Sequence, residues 1–319
     1  MKIFNAFFFL FSISLSAQIK GVVTDSLYGK PIPYVNIVVE NENIGSTSEE
    51  DGSFVVYTSE KSKRLLFSAL GFEKKTVLIS EAKSVQLKPM EYELQEVMIS
   101  NRKQTKEIEI GKTNSAISQA FDYGPRIDTK FFPYLPEYKK TKFIKQVSMV
   151  TDSKIENALI KIHLYEVNDD GFPGKELIGK ELFVSIQKGT RTHKIDVSKY
   201  NLTLPKRGIF VGFEKLLIES NKVEKTITDS NTNTTKIVRT YYPYVLYNYI
   251  ERPFLFTFVG GKWIKETNQN EQGVVEKKRM YEPSINLILT NWFRFMIVNT
   301  RLKWYKLEKP YLCGLENKI

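Results

Sequence analysis

The sequence predicts an all-β protein, a small β-sandwich followed by a larger one. Three observations predict it. Short runs of alternating apolar and polar residues recur along the chain, separated by turn residues every 8–12 positions or so. Helical periodicity is absent over residues 19–99. A polar, charged stretch from Asn101 to Glu107 divides the strand-like runs into two groups. The resulting division is residues 1–17 as a leader, 18–100 as the first sandwich, 101–107 as a linker and 108–319 as the second.

The leader reads MKIFNAFFFLFSISLSAQ. Lys2 supplies a positive start, Ile3 to Leu15 form an apolar run, and Ser-x-Ala precedes Gln18. That order predicts a secretory signal peptide cleaved between Ala17 and Gln18. The run is shorter than the roughly 20 residues that span a bilayer. No later stretch has the length and purity of a transmembrane helix. Tyr247 to Val259 comes nearest and is broken by Glu251, Arg252 and Pro253. The expected location is therefore outside the cytoplasm, in the periplasm or associated with the outer membrane or cell surface. No cysteine stands at the cleavage site to carry a lipid, and the single cysteine, Cys313, has no partner for an internal disulfide. Core packing must hold the fold together. The net charge is +11, of which Lys2 contributes one. Lysines alternate with glutamates along the chain, as on a solvated surface, and export argues against a nucleic-acid partner.

In the first group, Gln18 to Asp25 is an expected strand, Tyr28 to Pro31 a turn, and Pro33 to Val39 a strand near a core. Ile44 to Thr47 leads to a turn at Glu50-Asp51-Gly52, and Asp-Gly between two strand-like runs is a strong hairpin signal. Ser53 to Tyr57, Arg64 to Ala69, Thr76 to Ile79, Ser84 to Leu87 and Leu94 to Ile99 complete the set.

The runs G-V-V-T-D-S-L-Y-G-K-P-I-P-Y-V-N-I-V-V from Gly21, G-S-T-S-E-E-D-G-S-F from Gly45 and S-A-L-G-F from Ser68 resemble a carboxypeptidase regulatory-like domain. The resemblance implies a transthyretin-like β-sandwich without catalytic residues, exported in Bacteroidetes-type bacteria. The segment M-E-Y-E-L-Q-E-V-M-I-S from Met90 is similar to the joint between such a domain and the plug of a TonB-dependent receptor. The chain beyond Ser100 departs from that pattern. Too few residues remain for a plugged barrel of about 22 strands, each needing roughly 9–11 residues.

In the second group residues 113–139 hold little period, with Gly124-Pro125, Pro133 and Pro136 breaking any long element. Strands are expected at Phe143 to Val150, Ala158 to Val167, Leu182 to Ile186, Lys194 to Tyr200, Gly208 to Glu214, Asn286 to Leu289 and Phe293 to Val298. A mobile loop or polar hairpin is expected near 221–238. The runs I-H-L-Y-E-V-N-D-D-G-F-P-G-K-E-L from Ile162, I-D-V-S-K-Y-N-L-T-L-P from Ile195 and G-I-F-V-G-F-E from Gly208 resemble the jelly-roll-like domain that follows regulatory-like modules in exported Bacteroidetes proteins. A jelly roll names no activity.

No catalytic residue and no cofactor are expected. His163 and Glu166 form His-x-x-Glu, and His193 is a third candidate zinc ligand. On a strand, however, 163 and 166 have opposite parity and face apart. The chain lacks a Gly-x-Ser-x-Gly elbow and a phosphate-binding glycine loop. Asn168, Asp169 and Asp170 offer oxygens to calcium but lack EF-hand spacing, and a plain Asp-Gly turn is the better reading. The aromatic run 241–258 carries the candidate ligand surface. Tyr242 and Tyr244 are its candidate exposed pair, and Phe254, Phe256 and Phe258 are expected to fill the core. The expected function is a non-enzymatic envelope accessory or adhesion protein with a protein or glycan partner. The alternatives are a structural component with no soluble ligand and a hydrolase with an unrecognised site.

Overall fold

The computed structural model describes residues 17–58, 63–90, 106–112, 117–121, 124–228, 230, 234–267 and 280–291. The expected leader up to Ser16, the strands at 94–99 and 293–298, most of the linker and Cys313 lie outside these residues. The described chain is nearly all strand, with short 3₁₀ turns and no α-helix.

Seven strands form the N-terminal sandwich: β1 (Ala17–Asp25), β2 (Asn36–Val39), β3 (Gly45–Thr47), β4 (Ser53–Thr58), β5 (Arg64–Ser68), β6 (Lys75–Leu78) and β7 (Ser84–Leu87). One sheet runs β4-β1-β7 and the other β3-β2-β5-β6. The pair β1–β7 is parallel, and the other pairs here are antiparallel. Alternation fixes the core. Val23, Phe54, Val56, Val85 and Leu87 from one sheet meet Ile37, Val39, Leu65 and Phe67 from the other. Phe54 and Phe67 pack edge to face at 5.5 Å.

The larger sandwich comes next in the chain. Its strands are β8 (Glu107–Ile110), β9 (Ile117–Ala120), β10 (Ile127–Phe132), β11 (Phe143–Ser153), β12 (Ala158–Val167), β13 (Pro173–Glu176), β14 (Leu182–Ile186), β15 (Gly189–Asp196), β16 (Ile209–Lys215), β17 (Lys222–Thr228), β18 (Thr235–Tyr241), β19 (Tyr244–Ile250), β20 (Leu255–Val259), β21 (Lys262–Lys265), β22 (Met280–Pro283) and β23 (Ile285–Thr290). One sheet has the order β13-β12-β16-β10-β20-β21, with β14 also on β12. The facing sheet has the order β22-β19-β11-β23-β8, with β15 on β11 and β9 on β19. Between them lie Ile160, Ile162, Leu164, Val211 and Leu255 from the first sheet and Val147, Met149, Val245, Leu287 and Leu289 from the second. The polar segment near 221–238 is a two-stranded hairpin, β17–β18, rather than a loop.

Strand β10 breaks the expectation of little order over 113–139. Its inner face carries Asp128 and Lys130 beside Phe132, so the apolar alternation that announces a strand is missing. Both polar side chains reach across to the facing sheet. Lys130 Nζ meets Glu282 Oε1 at 2.8 Å and donates to the carbonyls of Gly111 (2.7 Å) and Ile285 (2.8 Å). Asp128 accepts from the Tyr247 hydroxyl and, at 2.6 Å, from Thr257 Oγ1. Arg252 holds Glu282 with two hydrogen bonds, at 2.9 and 2.7 Å. Burial pulls the Lys130 ammonium down to about 8 against the opposing pull of Glu282.

A second correction concerns the phenylalanines. Leu255 is the residue of β20 in the core cluster. Phe254, Phe256 and Phe258 share one face, as alternation requires, but it is the outer face of the sheet. There Phe256 meets Phe210 at 4.7 Å and Phe172 at 5.5 Å, and Phe258 meets Trp263 at 5.3 Å. Phe256 and Phe258 are nevertheless only 4% and 5% exposed. The outer face of this sheet is therefore covered, and the covering is what places the site.

Candidate functional site at the domain seam

Strand β12 is buried on both faces from Ile160 to Leu164. Ile160, Ile162 and Leu164 enter the sandwich core. Lys161 and His163 point the other way, beside Glu214 and Gly212 of β16, with which they are in register. A strand with charge on one face ordinarily turns that face to water. Here the sheet β3-β2-β5-β6 of the N-terminal sandwich lies over it.

The contacts across the seam are specific. Asn36 Nδ2 of β2 donates to Glu214 Oε1. Thr47 Oγ1 accepts from Leu217 N at 3.0 Å, and Glu49 Oε1 accepts from Glu219 N at 2.9 Å. Asn41 N donates to the Gly260 carbonyl at 3.0 Å. The Tyr34 ring meets Phe183 edge to face at 4.8 Å, held there by a backbone at φ +55°. Two glycines permit the close approach. A Cβ on Gly45 would stand 3.0 Å from Pro125 and 2.1 Å from the Ile37 carbonyl. One on Gly260, at φ +57°, would stand 3.0 Å from Asn41.

At the centre lies a closed charge cluster. His163 Nδ1 donates to Glu176 Oε2 at 3.1 Å and Nε2 to Glu214 Oε2 at 3.0 Å. Lys161 Nζ donates to Glu181 Oε1 at 2.6 Å and stands 4.0 Å from Glu214 Oε2. Glu176 Oε1 also accepts from Leu164 N at 2.8 Å. The Tyr165 ring stacks parallel to His163 at 5.4 Å. Burial alone would push the imidazolium pKa down. The Glu176 and Glu214 carboxylates outweigh it and raise His163 to about 9. Burial would likewise raise Glu214, but His163, Lys161 and Asn36 hold it below the usual carboxylate range. The cluster is ionic at neutral pH: two cations, His163 and Lys161, among three carboxylates. Taking each charge out of water costs several kcal/mol, so every member needs the others. A doubly protonated imidazole clamped between two carboxylates has no lone pair to act as a base or to bind a metal.

The sequence-level candidates fall elsewhere. His163 is buried and Glu166 exposed, on opposite faces of β12. His193 lies on β15 of the facing sheet, paired with Met149. Among the described residues no group of three or more His, Cys, Asp or Glu could hold a metal ion. In the turn at 168–171, Asn168 Oδ1 accepts from Phe172 N at 2.8 Å and the Asn168 carbonyl from Gly171 N at 3.1 Å. The Arg207 guanidinium meets Asp169 Oδ1 at 2.9 Å and the Asn168 carbonyl, so an arginine stands where a cation would sit. Tyr242 is 4% exposed and packs against Tyr244 at 5.1 Å. Tyr244 is half-buried, with Lys215 Nζ 5.1 Å over its ring. Of that pair, Tyr244 has the surface to meet a ligand.

The N-terminal sandwich and the segment after it, residues 19–118, match the family model described as a CarboxypepD_reg-like domain. The N-terminal sandwich is thus similar to a carboxypeptidase regulatory-like domain. The match runs on through β8 and into the start of β9, strands that pair with β23 and β19 of the larger sandwich. A TonB-dependent receptor from Formosa agariphila is 27% identical over 121 residues, covering 35% of this chain and 12% of that protein. The chain thus matches a small fraction of that relative's length. Among solved structures, infectious bursal disease virus (10% identity, TM-score 0.24, 86% of this chain and 64% of that one) and the major pilin subunit of Bacillus cereus (14%, 0.16, 86% and 84%) are similar. At those scores neither bears on the function. The regulatory-like domain supplies Asn36 to the seam, and the larger sandwich supplies the charges.

Sequence reading missed this cluster. The signal was present: Lys161 and His163 alternate with isoleucine and leucine in β12, and Glu214 and Lys215 end an otherwise apolar β16. Such a pattern reads as a solvated face unless something is known to cover it.

Proposed function

We propose that this chain is a non-enzymatic accessory or adhesion protein of a bacterial cell envelope, binding a protein or glycan partner. The observation that carries the reading is the seam. The densest set of ionisable groups in the described structure is paired within itself, two cations among three carboxylates, and it serves to fix the regulatory-like domain on the larger sandwich. Two sandwiches fixed in this way form a preorganised surface, and preorganisation lowers the cost of binding a partner. The regulatory-like domain and the receptor relative from Formosa agariphila support an envelope setting. Export after removal of residues 1–17, to the periplasm or the outer-membrane surface, belongs to the same reading. So does a division into units at 18–100 and 108–319. No cofactor and no nucleic acid enters it.

The test is a pull-down with tagged residues 18–319 from an envelope extract containing membrane proteins and polysaccharide. Retention of a specific protein or glycan is expected. An empty pull-down would favour a purely structural component. Turnover of a peptide or polysaccharide that is lost on His163→Gln would overturn the non-enzymatic reading.

A further inference from the structure

A cavity of about 210 Å³ opens at the edge of the seam. Its walls are two turns of the regulatory-like domain, Lys30–Pro33 and Ala69–Phe72, and Glu181 of the larger sandwich closes it. These turns are the K-P-I-P and S-A-L-G-F runs that carry the family resemblance. The walls are stiff. Pro31 bridges to Thr24 and Phe72 to Pro89, and the Gly71 carbonyl accepts from Met90 N at 2.7 Å. The space exceeds the roughly 150 Å³ cavity that admits benzene.

Its lining combines apolar and acidic side chains. Ile32, Pro33, Leu70 and Phe72 give the apolar part, and Asp25 and Glu181 the carboxylates. Each acid uses one oxygen within the protein. Asp25 Oδ1 accepts from Leu27 N at 2.7 Å, and Glu181 Oε1 accepts from Lys161. Among the described residues Oδ2 of Asp25 and Oε2 of Glu181 have no partner. Lys30 stands exposed at the mouth and pairs with neither acid. An apolar cavity with carboxylates in its lining complements a long aliphatic stem tipped with a cation.

We propose that this cavity receives a lysine or arginine side chain of a partner polypeptide. The proposal rests on the binding-protein reading above and gives that partner its chemistry. The regulatory-like domain supplies the two turns and the larger sandwich supplies Glu181, so the site exists only while the two sandwiches are docked.

The test titrates N-acetyl-lysine methylamide, its arginine counterpart and the uncharged norleucine counterpart into residues 18–319. The methyl resonances of Ala69 and Leu70 report binding. Saturable shifts with a dissociation constant of about 1–10 mM are expected for the cationic compounds, with norleucine at least about tenfold weaker. Glu181→Gln should weaken the cationic compounds and leave norleucine unchanged. Ala69→Phe, which fills the space and keeps both carboxylates, should abolish all shifts. Absence of saturable shifts for either cationic compound would overturn the proposal. So would equal binding of norleucine, or full binding by Ala69→Phe. The pull-down can succeed while this titration fails, which separates a wrong cavity from a wrong function.

Discussion

Two buried charge clusters among the described residues use the same chemistry at different joints. Lys130, Glu282 and Arg252 lie inside the larger sandwich and tie its two sheets together. Lys161, His163, Glu176, Glu181 and Glu214 lie outside that sandwich and meet Asn36 of the regulatory-like domain. In the inner cluster the Lys130 ammonium has three acceptors, Glu282 and the carbonyls of Gly111 and Ile285, at 2.7–2.8 Å. It is 0% exposed, and so is Glu282. The seam cluster is a network in which each cation has two carboxylates and each loss can be shared. The comparison teaches that removing one member should cost more where fewer partners remain. It also separates a contact that determines whether the sandwich closes from one that determines how two sandwiches sit.

The largest effect is expected for Glu282→Gln, which leaves Lys130 buried and Arg252 half-buried beside a neutral group. Breaking a buried pair this way costs about 3–5 kcal/mol, read as a lower urea midpoint for the whole larger sandwich. Glu214→Gln should cost less, about 1.5–3 kcal/mol, because Lys161 retains Glu181 and His163 retains Glu176. Its signature should be domain separation, seen as a larger radius of gyration in solution scattering. An unchanged radius would break the assignment of the seam. Asn36→Ala should cost about 1–2 kcal/mol with the same signature from the opposite side. The smallest effect is expected at the hairpin, where Arg239 stands 5.2 Å over Tyr57 of β4. Tyr57→Ala should change stability by less than about 1 kcal/mol, since Tyr57 is 45% exposed.

The pH dependence sharpens the comparison, because the two clusters pull in opposite directions. His163 is raised from 6.5 to about 9 by its carboxylates. The folded state binds this proton more tightly, so its contribution is present in full below 6.5 and is lost as pH rises through about 9. Lys130 is lowered from 10.5 to about 8. The unfolded state binds that proton more tightly, so stability rises between about 8 and 10.5. Stability measured by urea unfolding should fall from pH 6.5 to about 8, stay level to about 9 and rise from there to about 10.5. His163→Gln should remove the fall, and Lys130→Met should extend it to about pH 9. A fall that persists in His163→Gln would assign it to another group.

Much of the strand pattern was legible in the sequence. Alternation and short apolar runs located β1, β4, β5, β12 and β16, and Asp51-Gly52 marked a turn. Alternation also put His163 and Glu166 on opposite faces. Strand β10 was not legible, because Asp128 and Lys130 stand where apolar residues would have announced it, and their partners Tyr247 and Glu282 are more than a hundred positions away. Phe254, Phe256 and Phe258 were assigned a common face correctly and the wrong side of the sheet. Tyr242 was read as a candidate surface residue and is buried.

By itself the sequence determined many of the residues that become strands, which of them share a face, and that the N-terminal unit resembles a regulatory-like domain. The tertiary structure decided what lies on the far side of each face. The physical reason is the strand period of two. It sorts side chains into two sets with certainty but is silent on whether water, a facing sheet or a second domain covers either set. Whether Lys161, His163 and Glu214 are a solvated stripe or a buried lock depends on the docking of a sheet about a hundred residues or more away in the chain, and no local pattern encodes it.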